Sequence, residues 1–194
     1  FFSEKIIKKK TNQKIKKITS ISMFYDIEKP IKFANEVFNI LDDEGIWHLE
    51  QSYMPAMIKN KSYDTICHEH LEYYSLTSIK YIFDRVGFKI IDLKFNDING
   101  GSFSVTVAKK KSKFKEDKDL IKWLLNKENL YNYNKIKTFK NFFQEIKRHK
   151  VAFKNLLLEL KKNNKKVLGY GASTKGNVIL QFCNIKSNEA NMCI

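Results

Sequence analysis

Arginine is nearly absent from this chain. Of its 36 basic residues only Arg85 and Arg148 carry a guanidinium, although the net charge is +15. Base readout and bidentate phosphate contacts draw on Arg, and the aromatic–basic interleaving of an RNA-binding signature is missing. Lysine spread over the whole length therefore argues against a dedicated nucleic-acid surface and leaves only a generic electrostatic one. A run of about 18 apolar residues is also lacking, so no membrane-spanning helix is expected, and nothing resembles a secretion signal. Cys67, Cys183 and Cys193 are odd in number and have no CxxC spacing. That pattern fits a reducing cytosol better than a disulfide scaffold, and a cytoplasmic protein is expected. Over residues 113–163 neither glycine nor proline occurs, which excludes a flexible linker there.

What is present is enough for a core: 194 residues, 43% hydrophobic and 13% aromatic, with an α/β rhythm. Residues 5–17 read as a basic, polar lead-in, and ITSISMF (18–24) as a short buried strand. Pro30 opens a helix with Ile31, Ala34, Val37, Phe38 and Leu41 at helical spacing. DDEG (42–45) is expected to break it before the strand IWHLEQ (46–51). Strand, helix, strand over so short a span predicts a parallel pair. Residues 75–87 predict a helix capped by Ser75 or Thr77 and stopped by Gly87. FKIIDLKF (88–95) and GSFSVTVAKK (101–110) predict an antiparallel edge pair joined by NDINGG. From 113 to 163 the spacing predicts long amphipathic helix, its aromatic stripe packing against a sheet or a neighbouring subunit. KKVLGYGASTKGNVILQF (165–182) reads as strand, glycine-rich turn and helix. GASTKG has P-loop glycine spacing, but Asn177 and Val178 stand where Lys and Ser/Thr are required, which disfavours a Walker ATPase.

Chemistry concentrates in ICHEHLEYYSL (66–76). Two of the four histidines, His68 and His70, lie there beside Cys67, Glu69, Glu72, Tyr73 and Tyr74. Groups able to exchange protons near neutral pH are scarce elsewhere, so this run suits acid–base work. A metal role is disfavoured, since HEHLE places Glu72 where HExxH needs its second histidine, and adjacent residues do not converge on one ion.

SMFYDIEKP (22–30), WHLEQSYMP (47–55), SYDTICHEHLEYYSL (62–76), NDINGGSF (96–103) and GYGASTKGN (169–177), in this order, resemble the SAM-dependent C-methyltransferases that act on nucleotide-linked deoxysugars. The resemblance implies a Rossmann-like methyltransferase core, here its C-terminal portion over 1–110. A helical connection over 111–163 and the beginning of a second Rossmann-like, nucleotide-binding lobe over 164–194 would follow. It also implies a piece of a longer protein, because no four-cysteine zinc cluster and no glycine-rich SAM loop precede the first strand. By that resemblance S-adenosyl-L-methionine is the cofactor, zinc belongs to an N-terminal domain not represented, and the partner is a nucleotide-sugar. An oligomer is left room for by the aromatic-rich helices.

Carried over by motif position, His70 is the base that removes the proton beside a ketone, with Glu69 orienting it or contacting the sugar. Imidazole, with an ordinary pKa of about 6.5, suits that task. The sequence departs from the family at two places: Cys67 stands where Tyr is usual, and Asp26 where His can occur. Neither ionised Asp26 nor the Cys67 thiol is a good donor to an enolate oxygen, so Tyr25, Tyr73 or Tyr74 is expected to supply it. Asn99, Gly100, Gly101 and Ser102 form a tight turn either at the mouth of the site or serving the hairpin alone. Gly169, Gly171, Ser173 and Gly176 either cradle nucleotide phosphates or serve strand–helix packing. A different, O- or N-linked methyl acceptor and a non-catalytic basic module both stay open.

Overall fold

The structure, a computed structural model, describes residues 2–171, 173–187 and 190–193. The chain forms two compact units, one from Phe1–Ala56 and Leu71–Asn134, the other from Met57–His70 and Lys135–Ile194. Each is held by its own contacts, and both are discontinuous along the chain. No described helix is long and apolar enough to cross a membrane.

The first unit is an α/β structure around a mixed sheet, as the sequence predicts. The lead-in is more ordered than expected: α1 (Glu4–Lys10) precedes β1 (Ile15–Ile21), which starts ahead of the predicted strand. Helix α2 (Pro30–Ile40) begins on its proline and buries Ala34, Val37 and Ile40. Strand β2 (Leu41–Ser52) follows without the expected DDEG break. It pairs in parallel with β1, and residues 42–45 are taken up as an irregularity between the Ile15↔Leu41 and Lys17↔Ile46 pairs.

After a short helix α3 (Met54–Asn60) and an excursion into the second unit, the chain re-enters at α4 (Leu76–Val86). Ser75 caps it in a reciprocal box with Ser78, and Gly87 ends it at φ 103°, a left-handed conformation that glycine adopts without strain. Strands β3 (Phe88–Asn96) and β4 (Ser102–Lys109) form the predicted antiparallel pair, giving the order β1-β2-β4-β3. Parallel strands β1 and β2 thus end at the same edge at which the β3–β4 turn sits.

One face of this sheet carries the core. Trp47 is fully buried, ringed by Phe24, Phe83 and Phe88 with centroids 5.5–5.7 Å away. Its indole N–H donates to Ser20 Oγ at 3.0 Å, so the polar handle is satisfied. The expected long helix is in fact two, α5 (Lys118–Leu130) and α6 (Ile136–Lys162). Asn132 breaks them apart at φ 56°, which Asn tolerates better than most residues. Ile121 and Leu124 of α5 join the core.

The second unit contains α6, a parallel pair β5 (Leu168–Tyr170) and β6 (Asn191–Cys193), and α7 (Thr174–Cys183). Part of the predicted stripe on α6 is buried (Phe142, Ile146, Leu157), while Phe143 stays half-exposed beneath the Lys147 ammonium at 4.4 Å. Ala172, within the predicted glycine turn, lies outside the described residues.

A Cβ added at Gly45 would lie 2.9 Å from both the Ile15 carbonyl oxygen and Leu41 Cγ. The backbone contact cannot yield as a side chain would. Gly45→Ala is expected to cost about 1–3 kcal/mol of stability through overpacking, read as a lowered denaturation midpoint with unchanged slope.

Candidate functional site

In the first unit, the ends of β1 and β2 gather several of the residues singled out by sequence. Beyond β1, Ser22 turns at φ 51° and its N–H donates to the Glu50 carbonyl at 2.8 Å. The turn Phe24–Asp26 follows, with Phe24 and Tyr25 buried and Asp26 exposed. The Tyr25 carbonyl accepts from the N–H groups of Leu71 and Glu72, both at 3.0 Å. Tyr53, just past β2, bridges to Tyr74, and Met54 N–H donates to the Tyr74 carbonyl at 2.8 Å. The Gly101 carbonyl accepts from Tyr53 N–H at 3.0 Å. Tyr25, Asp26, Tyr73, Tyr74 and the Asn99–Ser102 turn thus belong to one end of the sheet. In open α/β sheets that is the end where ligands bind.

Within that turn the roles divide. Ser102 is buried and its Oγ donates to the Ile98 carbonyl at 2.8 Å, closing the hairpin. Asn99 and Gly100 are exposed and take left-handed φ values of 57° and 81°. The Tyr74 ring packs on Phe24 at 5.3 Å. Burial, and secondarily the Glu72 carboxylate, pushes its phenol well above the ordinary range, so it remains an O–H at neutral pH. Its hydroxyl, and both polar atoms of buried Gln51, have no hydrogen-bond partner among the described residues.

Sequence reasoning missed Glu128, which is buried near the end of α5. Oε1 accepts from Tyr53 Oη at 2.7 Å and Leu76 N–H at 2.7 Å; Oε2 accepts from Thr77 N–H at 2.9 Å and Thr77 Oγ1 at 2.6 Å. With Ser78 N–H donating to Ser75 Oγ at 3.2 Å, the first three N–H groups of α4 are all satisfied. A carboxylate also sits well at the positive end of a helix. Burial first, and Glu128 next, holds the Tyr53 phenol protonated far above its usual range. The available signal was phase: Ile121, Leu124 and Glu128 share the buried side of α5.

In the second unit, Tyr63–Thr65 forms a single helical turn, and the segment 66–70 follows it. His70 is half-buried. Its Nδ1 lies 2.8 Å from the Thr65 carbonyl oxygen, and its N–H donates to the Cys67 carbonyl at 3.3 Å. A carbonyl only accepts, so Nδ1 carries the hydrogen and the neutral ring holds its lone pair on Nε2. Glu69 is exposed, 4.0 Å from His68 Nε2, a surface pair of little energetic weight. On the Nδ1 side, the His70 ring is held by a backbone carbonyl.

Cys67 and His68 line a cavity of about 610 Å³ with Ile66, Thr174, Asn177, Val178, Gln181 and Phe182. The 66–68 run and α7 are therefore brought together, which the sequence did not foretell. Gly171, ahead of α7, sits at φ 147° with open space around its missing Cβ, and Ser173 Oγ caps α7 by accepting from Gly176 N–H at 3.3 Å. Among the described residues no three His, Cys, Asp or Glu side chains gather in a way that would hold a metal ion.

Comparison with known proteins adds the following. The C-methyltransferase C-terminal domain family matches residues 97–194. C-methyltransferase NovU of Streptomyces niveus is 30% identical over 159 residues, 82% of this chain and 38% of that protein. The chain thus spans well under half the length of this curated relative. Among solved structures, LepI in complex with SAM is 10% identical, with a TM-score of 0.42 over 50% of this chain and 27% of that one. The plantazolicin methyltransferase BamL, with SAH and a triazolic desmethylPZN analog, is 10% identical, with a TM-score of 0.39 over 56% and 58%. These backbone likenesses are partial.

Glu128→Gln leaves one backbone N–H of α4 facing an amide NH2 whichever way the amide turns, since Leu76 and Thr77 donate to different oxygens. It is expected to cost about 2–4 kcal/mol of stability, against about 1 kcal/mol for Tyr53→Phe, measured by equilibrium denaturation.

Proposed function

Because this chain belongs to the C-methyltransferase family, we propose that the whole protein transfers a methyl group from S-adenosyl-L-methionine to a sugar carbon next to a ketone, on a nucleotide-linked keto-deoxysugar. The observation that carries this reading is the His70 ring, whose Nδ1–H is held by the Thr65 carbonyl at 2.8 Å. That bond leaves the basic lone pair on Nε2, the form a carbon acid requires.

His70 Nε2 takes the proton from the carbon beside the ketone, and the C–H electron pair moves through the new C=C bond onto the ketone oxygen. A hydroxyl from Tyr25, Tyr73 or Tyr74 donates to that developing enolate oxygen. Tyr74 is supported by a phenol that burial keeps protonated and that has no partner among the described residues. Glu69 is exposed at the adjoining position, suited to a sugar hydroxyl. Cys67 and Asp26, the two departures from the family pattern, are assigned no proton transfer. Asn99, Gly100, Gly101 and Ser102 form the rim at the sheet edge.

SAM supplies the methyl group when bound. The described residues do not fit it: neither connection following β1 or β2 contains a glycine, and no strand, glycine turn and helix succession occurs in the four-stranded sheet. What these residues can do is confined to the acceptor. The nucleotide phosphates are assigned to Gly169, Gly171, Ser173 and Gly176, and residues 164–194 to the beginning of a nucleotide-binding lobe. The start of α7 at Thr174 supports this, because backbone N–H groups at a helix N-terminus suit an anion.

In the full-length protein, His70→Gln is expected to lower C-methyl product formation by about 100-fold or more. Product NMR provides the check. A new O–CH3 or N–CH3 signal instead of C–CH3, unaffected by the substitution, would favour the other acceptor class.

A further inference from the structure

We infer that Tyr63 is the positioning residue that keeps the His70 ring in its basic tautomer. The inference rests on the reading of His70 as the base, but its logic is purely geometric. Thr65 supplies the carbonyl that fixes His70 Nδ1. Thr65 belongs to the three-residue turn Tyr63–Thr65, far too short to hold its own conformation in water. Something outside the turn must fix it.

Local bonds close the turn: Ile66 N–H donates to the Tyr63 carbonyl at 3.0 Å, and Thr65 Oγ1 donates to the Ser62 carbonyl at 2.8 Å. These give the turn its shape. The buried Tyr63 side chain ties it to the rest of the unit, its ring lying 5.2 Å from Phe182 of α7 and 5.6 Å from His149 of α6. The phenol oxygen is 3.0 Å from His149 Nδ1 and 3.5 Å from Cys183 Sγ. One side chain thus joins both helices to the turn that carries Thr65. The nearby Lys61–Glu145 pair at 3.1 Å also reaches α6, but it is solvent-exposed and worth little.

The phenol keeps two partners in either charge state of His149. When that ring is neutral with its lone pair on Nδ1, Tyr63 donates to it and accepts from the Cys183 thiol. When the ring is protonated, Nδ1–H donates to Tyr63, which donates to the Cys183 sulfur. Burial, and then Cys183, pushes the Tyr63 phenol well above its ordinary range, so it is never ionised at working pH.

The test reads the ring itself, so a protein that methylates nothing still reports on Tyr63. Two-bond ¹H–¹⁵N spectra of the ¹⁵N-histidine-labelled full-length protein give the His70 tautomer, the resonance being identified by its loss in His70→Gln. Wild type is expected as Nδ1–H. Tyr63→Phe, with wild-type far-ultraviolet dichroism, is expected to shift His70 toward a mixture of both tautomers. If Tyr63→Phe does not fold, His149→Gln, which can still accept from the phenol, is expected to keep the wild-type signal, and His149→Leu to lose it. An unchanged His70 tautomer in folded Tyr63→Phe, or identical His70 signals in the two His149 variants, would overturn the assignment. Full conversion of product by the same variants would not rescue it.

Discussion

The buried carboxylate of Glu128 is the constraint on which the first unit depends. An ionisable group enclosed by protein must be matched donor for donor, and here four donors from two other parts of the chain meet its two oxygens. Tyr53 ends β2, Leu76 and Thr77 begin α4, and Glu128 itself closes α5. Removing a carboxylate from such a place strands its donors, a larger penalty than the bonds are worth when made. Glu128 thereby fixes a relation between elements that hydrophobic packing alone would leave free to slide.

That relation has a consequence for chemistry. Residues 57–70 leave the first unit and return to it, and the two ends of this excursion are Tyr53–Met54 and Leu71–Tyr74. They are tied by the Tyr53–Tyr74 bridge, the Met54-to-Tyr74 bond and the bonds from Leu71 and Glu72 to the Tyr25 carbonyl. Glu128 braces the same place through Tyr53. The second unit then orders the excursion internally, through Tyr63 and the Thr65 carbonyl. A histidine at the end of a long insertion would otherwise sample many orientations, and a base loses its value when it does.

Elements with local signals were legible in the sequence. Helix α4 has its cap residue, its apolar period and its terminal glycine, and the β3–β4 hairpin has alternation on either side of a turn. The α5–α6 break was not legible, because Tyr131–Lys135 contains neither glycine nor proline and Asn132 alone takes the left-handed turn. Nor was the early start of β2, where an irregularity absorbs a polar stretch that reads as a loop. Of the proposed site, the cluster at 66–76 stands out as composition, and Tyr25, Tyr74 and Asn99 lie in motifs that carry the family resemblance. The Thr65 carbonyl that meets His70 Nδ1 was invisible, since a backbone carbonyl leaves no mark in the sequence. Glu128 was hidden in plain view, as a charge on the apolar phase of a helix.

The central claim is that His70 performs carbon-acid chemistry on a keto sugar independently of the methyl donor. Incubating the full-length protein with a nucleotide-linked 4-keto-deoxysugar in D2O, without SAM, tests it most directly. The account predicts deuterium incorporation at the carbon beside the ketone, seen as loss of its proton signal by NMR, and no incorporation with His70→Gln. Equal incorporation by the two proteins, or none by the wild type while it still methylates carbon when SAM is added, would contradict it.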